Sequence, residues 1–276
     1  MIFILGCGVF IWNSYKSSIF PEELIEPIVV PVPEPDEAET LKTEFPVPSV
    51  DREIRKQLLE SDAEPDDEAP LPEEAVEDIP LPELNESDVP LNEALAEFFP
   101  AGQLFELFSF KDVIRHFTVT IDNAMGAKLP RKYSFSNHPE TRFVAQETSK
   151  GKYVMSEANF DRYSGFVHFI EDVEVNHVVY VYVKFYPLFQ KAYEELGYPD
   201  RYFNDRLIEV VDHLLATPES PQEIVLVKPK VFFEFADPEL ERLSASQKMM
   251  LRIGPENAAK VKEKLAALRA SLTSLN

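Results

Sequence analysis

From about residue 92 onward, hydrophobic positions recur at helical spacing, whereas the stretch before it shows no sustained period. Leu107, Phe110, Ile114, Phe117 and Ile121 are spaced by three and four, which predicts an amphipathic helix over 103–123. Residues 142–146 and 152–155 flank Ser149-Lys150-Gly151 and predict a hairpin. Phe160, Tyr163, Val167 and Ile170 mark a second helix. The stretch 176–196 carries two signals. Val178-Val179-Tyr180-Val181-Tyr182-Val183 has strand propensity, yet Val179, Tyr182, Tyr186, Phe189, Tyr193 and Leu196 keep a 3–4 repeat throughout. The longer repeat predicts a helix kinked near Pro187, closed by Gly197 with Pro199 beyond it.

Residues 204–216 predict a further helix with Leu207, Ile208, Val211, Leu214 and Leu215 inward. Residues 224–235 read as extended, interrupted by Pro229 and therefore at a sheet edge. Ser244-x-x-Gln247 matches a capping box, and the helix it opens ends at Gly254. Pro255 then starts a last helix with Ala258, Val261, Leu265, Leu268 and Leu272 as its apolar stripe. The pattern predicts one α+β domain, predominantly helical, with a small β-sheet or hairpin.

Charge divides the chain in the same place. The net charge is −22. Residues 21–100 hold 25 acids and 4 bases, or −21; residues 101–276 hold 24 acids and 22 bases, or −2; Lys16 supplies the remaining +1. Fourteen of the 23 prolines and no glycine fall in 21–100. Residues 21–99 therefore read as a disordered acidic, Pro-rich linker, and 100–276 as a globular domain large enough for one core. About 70 such residues span roughly 45–50 Å as a flexible coil, and up to about 210 Å in polyproline II. Within the linker, Pro70-Leu71-Pro72-Glu73, Pro80-Leu81-Pro82-Glu83 and Pro90-Leu91-Asn92-Glu93 form a ten-residue echo, and residues 51–61 could make one short helix. The charge excludes a general nucleic-acid binder, which needs clustered Lys and Arg.

Residues 1–20 open on eleven apolar residues, IFILGCGVFIW, a helix of roughly 16 Å where about 20 residues are usual for a span. Three readings stand: a membrane anchor whose start lies upstream, a cleaved or lipidated signal around Ile4-Leu5-Gly6-Cys7, and a packed apolar N-terminus. Trp12 and Tyr15 suit a membrane interface. Cys7 is the single cysteine, so no intramolecular disulfide and no multi-cysteine zinc site exists.

Chemistry-bearing motifs are sparse. No H-E-x-x-H, G-x-S-x-G, Walker A loop or G-x-G-x-x-G occurs. Glu209 and His213 lie four apart on a predicted helix, with Asp205 one turn before and Asp212 beside them. A hydrolase could be built on these four, and a metal would need a further ligand, such as His116, His168 or His177. A solvated polar face is the plainer reading. The densest polar and aromatic run is Tyr198, Asp200, Arg201, Tyr202, Asn204, Asp205 and Arg206, between two predicted helices. Exposed loops with Tyr and Arg suit recognition. The structural alternative has Asp200 capping the next helix and Arg206 pairing with Asp205 or Glu209.

Several blocks in order resemble a bacterial family known as "domain of unknown function 3014". They are Tyr186-Pro187-Leu188-Phe189-Gln190, Tyr193-Glu194-Glu195-Leu196-Gly197-Tyr198-Pro199, Phe203-Asn204-Asp205-Arg206-Leu207, Asp212-His213-Leu214-Leu215, Lys228-Pro229-Lys230-Val231, Phe235-Ala236-Asp237-Pro238-Glu239-Leu240 and Leu251-Arg252-Ile253-Gly254-Pro255-Glu256-Asn257-Ala258. Asp122-Asn123 and Arg162-Tyr163 also fit, so the resemblance spans about 103–272. It implies an N-terminal membrane segment, an acidic spacer and a C-terminal domain, and it implies no activity. The expectation is a non-catalytic protein of the bacterial inner membrane, single-pass, with a periplasmic domain that binds a protein or envelope component. No cofactor, metal or nucleic acid is expected. Two alternatives are the hydrolase on Asp205, Glu209, Asp212 and His213, and an acidic segment that itself recruits a partner.

Overall fold

The computed structural model describes residues 43–48, 81–99, 108, 110–133, 143–221 and 223–275. The apolar stretch 1–20, the short helix expected over 51–61 and most of the linker lie outside them. In chain order the elements are α1 (Asp88–Ala96), α2 (Val113–Asn123), β1 (Ala145–Ser149), β2 (Lys152–Met155), α3 (Ala158–Asp161), α4 (Ser164–Asp172), α5 (Val175–Glu195), α6 (Phe203–Leu215), β3 (Val225–Val227), β4 (Glu234–Phe235), α7 (Pro238–Arg242), α8 (Ala245–Arg252) and α9 (Pro255–Thr273). This is an α+β fold dominated by helices, as the periodicity predicts.

α5 is the axis. Val178 to Val183 are all buried, and so are Phe185, Leu188, Phe189, Ala192 and Tyr193. A helix buried on nearly every side must be enclosed by neighbours. α1, α2, α6 and α9 all pack on it. That enclosure settles the conflict over 178–183: tertiary burial overrides the strand propensity of the valines. The helix runs unbroken through Pro187, whose ring faces solvent. Gly197, at φ +105°, takes the left-handed position that ends it.

The sheet is antiparallel, in the order β1-β2-β3-β4. The predicted hairpin is its first half, turning at Gly151 with φ +78°. Met155, Ile224, Leu226, Phe235 and Leu251 form a second, smaller core beneath it. Fully buried Asn159 ties the sheet to α3: its amide donates to the carbonyls of Val144 (2.6 Å) and Ser156 (2.7 Å) and accepts from the Val144 N–H (2.9 Å).

Three expectations are corrected. The domain begins before residue 100, because Leu84, Leu91, Ala94, Leu95 and Phe99 are buried in the main core. Their helix was hidden by acidic, proline-rich composition, but Pro90 sits in the first turn of α1, where its missing N–H costs nothing. Of the helix expected over 103–123, residues 103–107 and 109 lie outside the described residues, and the helix that is described starts at Val113. Asp112 adopts a left-handed backbone, φ +51°, which interrupts any helix entering from upstream. Asp88 stands in as the cap, accepting the N–H groups of Asp112 (2.7 Å) and Val113 (3.0 Å). The helix around Phe160–170 is two, α3 and α4, broken at Arg162-Tyr163.

Gly254 joins α8 to α9 at φ +90°, and a Cβ there would lie 2.6 Å from the Phe160 ring. Gly254→Ala should therefore cost about 2–4 kcal/mol from left-handed strain plus overpacking. Gly165→Ala, with open space around it in α4, should stabilise by about 0.5–1 kcal/mol. Urea denaturation of both variants checks the contrast; equal effects would contradict it.

Candidate functional site

The polar and aromatic run between α5 and α6 divides into two environments. In the first, Tyr198 folds back and stacks on Tyr193, with ring centroids 4.7 Å apart. The Arg201 guanidinium lies 5.9 Å from the centre of the Tyr198 ring. Arg206 donates to the Asp122 carbonyl (2.6 Å) and to Glu209 (2.7 Å), with the Asp122 carboxylate 3.8 Å away. It pairs with Glu209 as expected and not with Asp205. Burial raises the Asp122 carboxyl above its ordinary pKa, and this outweighs the pull of Arg206 and of a Tyr198 hydrogen bond. Tyr198 and Arg206 thus knit α2 to α6.

Asp200 is exposed and does not cap α6, because Tyr202 is the N-cap residue. The capping function falls to Gln190 on α5. Its Oε1 accepts the Phe203 N–H (2.8 Å), and its Nε2 donates to the Arg201 carbonyl (2.8 Å). Glutamine reaches this position because α5 passes directly behind the α5–α6 turn.

The second environment is the head of α6. Asn204 is fully buried, and its Oδ1 accepts the Tyr182 hydroxyl at 3.0 Å. The Tyr186 hydroxyl donates to Gln190 Oε1 (3.2 Å), the atom that also accepts the Phe203 N–H. Burial drives Tyr182 well above the ordinary phenol pKa and Tyr186 up to about 12, so both stay neutral near neutral pH. Asp205 is the third residue of α6, in the turn where the helix dipole favours a carboxylate.

What these residues hold comes from the linker. The Thr43 hydroxyl and the Phe45 N–H both donate to Asp205 Oδ1, at 3.0 and 2.9 Å. The Glu44 N–H donates to Asp205 Oδ2 at 3.1 Å. On the other side of the same residue, Asn204 Nδ2 donates to the Phe45 carbonyl at 2.9 Å. Phe45 and Val47 pack against the main core, while Glu44 and Pro46 face solvent. The segment 43–48 is therefore seated with a two-residue alternation, its main chain gripped at both polar groups of Phe45.

The proposed hydrolase set does not converge. Asp205 holds residues 43–45, Glu209 pairs with Arg206, and Asp212 pairs with Arg269 (3.1 Å from Nη2). His213 Nε2 lies 2.8 Å from Ser244 Oγ. That serine caps α8 by accepting the Gln247 N–H (3.1 Å); the Gln247 side chain turns instead to the His213 carbonyl (3.1 Å), so only half of the capping box forms. His177 stacks on Phe98 and His116 meets Tyr133 edge-on, so neither joins them. Among the described residues no group of three or more His, Cys, Asp or Glu is placed to hold a metal ion. Among those residues, too, no helix is long and apolar enough to cross a membrane.

Of the seven residues singled out from sequence, Asn204 and Asp205 form this clamp, Tyr198, Arg201 and Arg206 brace the turn, and Asp200 and Tyr202 are exposed. Sequence reasoning missed Tyr182, Tyr186 and Gln190, which it placed in the core stripe or as a family block. It also missed 43–48, which it merged with the linker. Their signal is faint: Tyr182, Tyr186 and Gln190 are four apart, a single row along one helix.

A family model described as "Protein of unknown function (DUF3014)" matches residues 113–269. That range contains Tyr182, Tyr186, Gln190, Asn204 and Asp205, and excludes 43–48. No curated protein and no solved structure matches the chain.

Burial first, and then Arg206, hold the His213 imidazole below its ordinary pKa, against an opposing pull from Glu209. An unfolded imidazole titrates near about 6.5. On acidification the unfolded chain therefore takes up this proton first. The contribution of His213 is complete above about pH 6.5 and is lost as the pH falls toward the folded value. Urea titrations at about pH 7.5 and pH 5 should show a smaller loss of stability for His213→Gln than for the parent chain. Equal losses would show that His213 carries none of it.

Proposed function

The chain belongs to this family of unknown function, and on that premise we propose that it is a membrane-tethered, non-catalytic protein of the bacterial envelope whose C-terminal domain binds a protein or another envelope component. The single observation that carries this reading is the clamp at the head of α6, where Asn204 and Asp205 grip the main chain of a segment about 160 residues away in sequence. A surface built to hold extended polypeptide is a binding device rather than a reaction centre. The order of segments supports the tether: an apolar start, an acidic stretch over 21–80 with 20 acids and 4 bases (−16), then a domain over 81–276 with 29 acids and 22 bases (−7). Like charges in such a stretch repel one another, which suits a spacer between a membrane and the domain. The inner membrane is the expected site of the anchor, with the domain on the periplasmic side.

The hydrolase reading is weaker, because each of its four side chains already has a separate partner. The reading in which the acidic segment recruits a partner rests on charge and proline content alone.

A reporter active only outside the cytoplasm, fused after Asn276, should be active in cells. Activity solely of a cytoplasmic reporter at the same position would overturn the periplasmic placement. In-cell crosslinking should give a defined adduct with the full chain that disappears when 84–275 are deleted and 1–80 retained. An adduct that survives this deletion would assign binding to the linker instead.

A further inference from the structure

We infer that the head of α6 is an exchangeable peptide-binding site, that residues 43–48 are its resident occupant in cis, and that its partner is an extended peptide with the pattern hydroxyl–x–aromatic–proline. This rests on the reading of the domain as a binding module and names the ligand of that surface.

The site is oriented by the domain and not by what it holds. The Tyr182 hydroxyl fixes Asn204 Oδ1, which leaves Nδ2 as the outward donor. Gln190, itself held by the Tyr186 hydroxyl, grips the Arg201 carbonyl and the Phe203 N–H, and α6 itself places Asp205. An acceptor pair on Asp205 and a donor on Asn204 therefore stand ready, and preorganised groups cost little to engage.

What the site reads is narrow. Three donors converge on one carboxylate: two consecutive main-chain N–H groups and one hydroxyl two residues before Phe45. The Phe45 carbonyl is taken by Asn204. The next residue is Pro46, which has no N–H to leave unpaired and which holds the preceding residue in an extended conformation. The aromatic ring of Phe45 and the side chain of Val47 supply apolar contact. Glu44 and Pro46 face solvent, and the Glu44 carboxylate adds to the pull that raises the Arg269 pKa on α9 after the larger pull of Asp212. Any chain with a Ser or Thr, any residue, an aromatic and a proline meets the same demands.

The cis segment has the character of a competitor. Among the described residues the seated segment is 43–48, 32 residues separate Pro48 from Leu81, and the segment lies outside the family-matched range while its receptor lies inside it. Residues 40–50 hold one acid and one base, a neutral island in a stretch, 21–80, that carries 20 acids and 4 bases. An intramolecular occupant acts at an effective concentration in the millimolar range. A partner peptide therefore binds with an affinity reduced by the fraction of free sites.

The test uses the full chain and a fluorescein-labelled peptide of sequence Lys-Thr-Glu-Phe-Pro-Val-Pro-Ser, read by anisotropy, with thermal unfolding as the check on folding. Thr43→Ala and Phe45→Ala in the protein should each release the cis segment and tighten peptide binding by about tenfold or more. Adding Asp205→Ala to either should abolish the gain, as should Phe45→Ala in the peptide. No binding by a cis-released chain of native melting temperature would overturn the inference, and so would binding indifferent to Asp205. A wild-type dimer dissociated by free peptide would make a second copy the occupant and would also overturn it. The two readings fail separately. Loss of peptide binding with the domain-dependent crosslink retained removes only the peptide site. Peptide binding without any crosslink in cells removes only the envelope role.

Discussion

Everything in this domain follows from enclosing α5. A helix that carries six buried residues in a row, Val178 to Val183, has almost no side it can give to water. α1, α2, α6 and α9 must therefore surround it, and each brings its own apolar stripe. The enclosure recruits residues that look like linker. Leu91, Ala94 and Leu95 of α1 fill a side of α5 that the later helices leave open, and so part of the acidic, proline-rich stretch becomes domain. Once α5 is covered, its polar positions have to find partners inside the protein. Tyr182, Tyr186 and Gln190, spaced by one helical turn, meet the head of α6: Tyr182 and Gln190 bond to the segment from Arg201 to Asn204, and Tyr186 bonds to Gln190. The clamp is thus a by-product of the same constraint that sets the fold: buried phenols need acceptors or donors, and the first turn of α6 supplies them.

Periodicity in the sequence revealed the helices whose apolar stripe is regular. α5, α6 and α9 lie within a residue or two of their expected ranges, and β2 matches its own, while β1 runs three residues later than the expected 142–146. Gly197 and Gly254 stop their helices where the turn chemistry requires. The misses have a shared cause. α1 is marked by composition as linker, and nothing short of its partners in α5 shows that its leucines are core. The start of α2 is set by one left-handed residue, Asp112, capped from Asp88, 24 residues earlier. The seat of 43–48 depends on hydrogen bonds across 159–162 positions, which leave no periodic trace. Local patterns carry local structure; pairings this distant enter only through geometry.

The candidate site shows the same division. The run from Tyr198 to Arg206 stood out as dense in polar and aromatic residues, and two of its members, Asn204 and Asp205, form the clamp. The others were drawn to attention by the same chemistry for a different reason: stacking, ion pairing and turn formation use Tyr and Arg as readily as recognition does. What separates the two roles is not residue type but which polar atoms point away from the domain's own framework. Asn204 Nδ2 and the Asp205 carboxylate do so; the Arg206 guanidinium is turned inward to Asp122 and Glu209.

Charge gives the final constraint. A carboxylate at the docking point faces a linker of −21, and an acidic stretch brought beside Asp205 would be repelled. The segment that docks is the locally neutral part, and it is held through N–H and hydroxyl donors rather than through opposite charge. The neutral run at 40–50, with one acid and one base, thus carries the charge pattern that suits a seat beside a carboxylate.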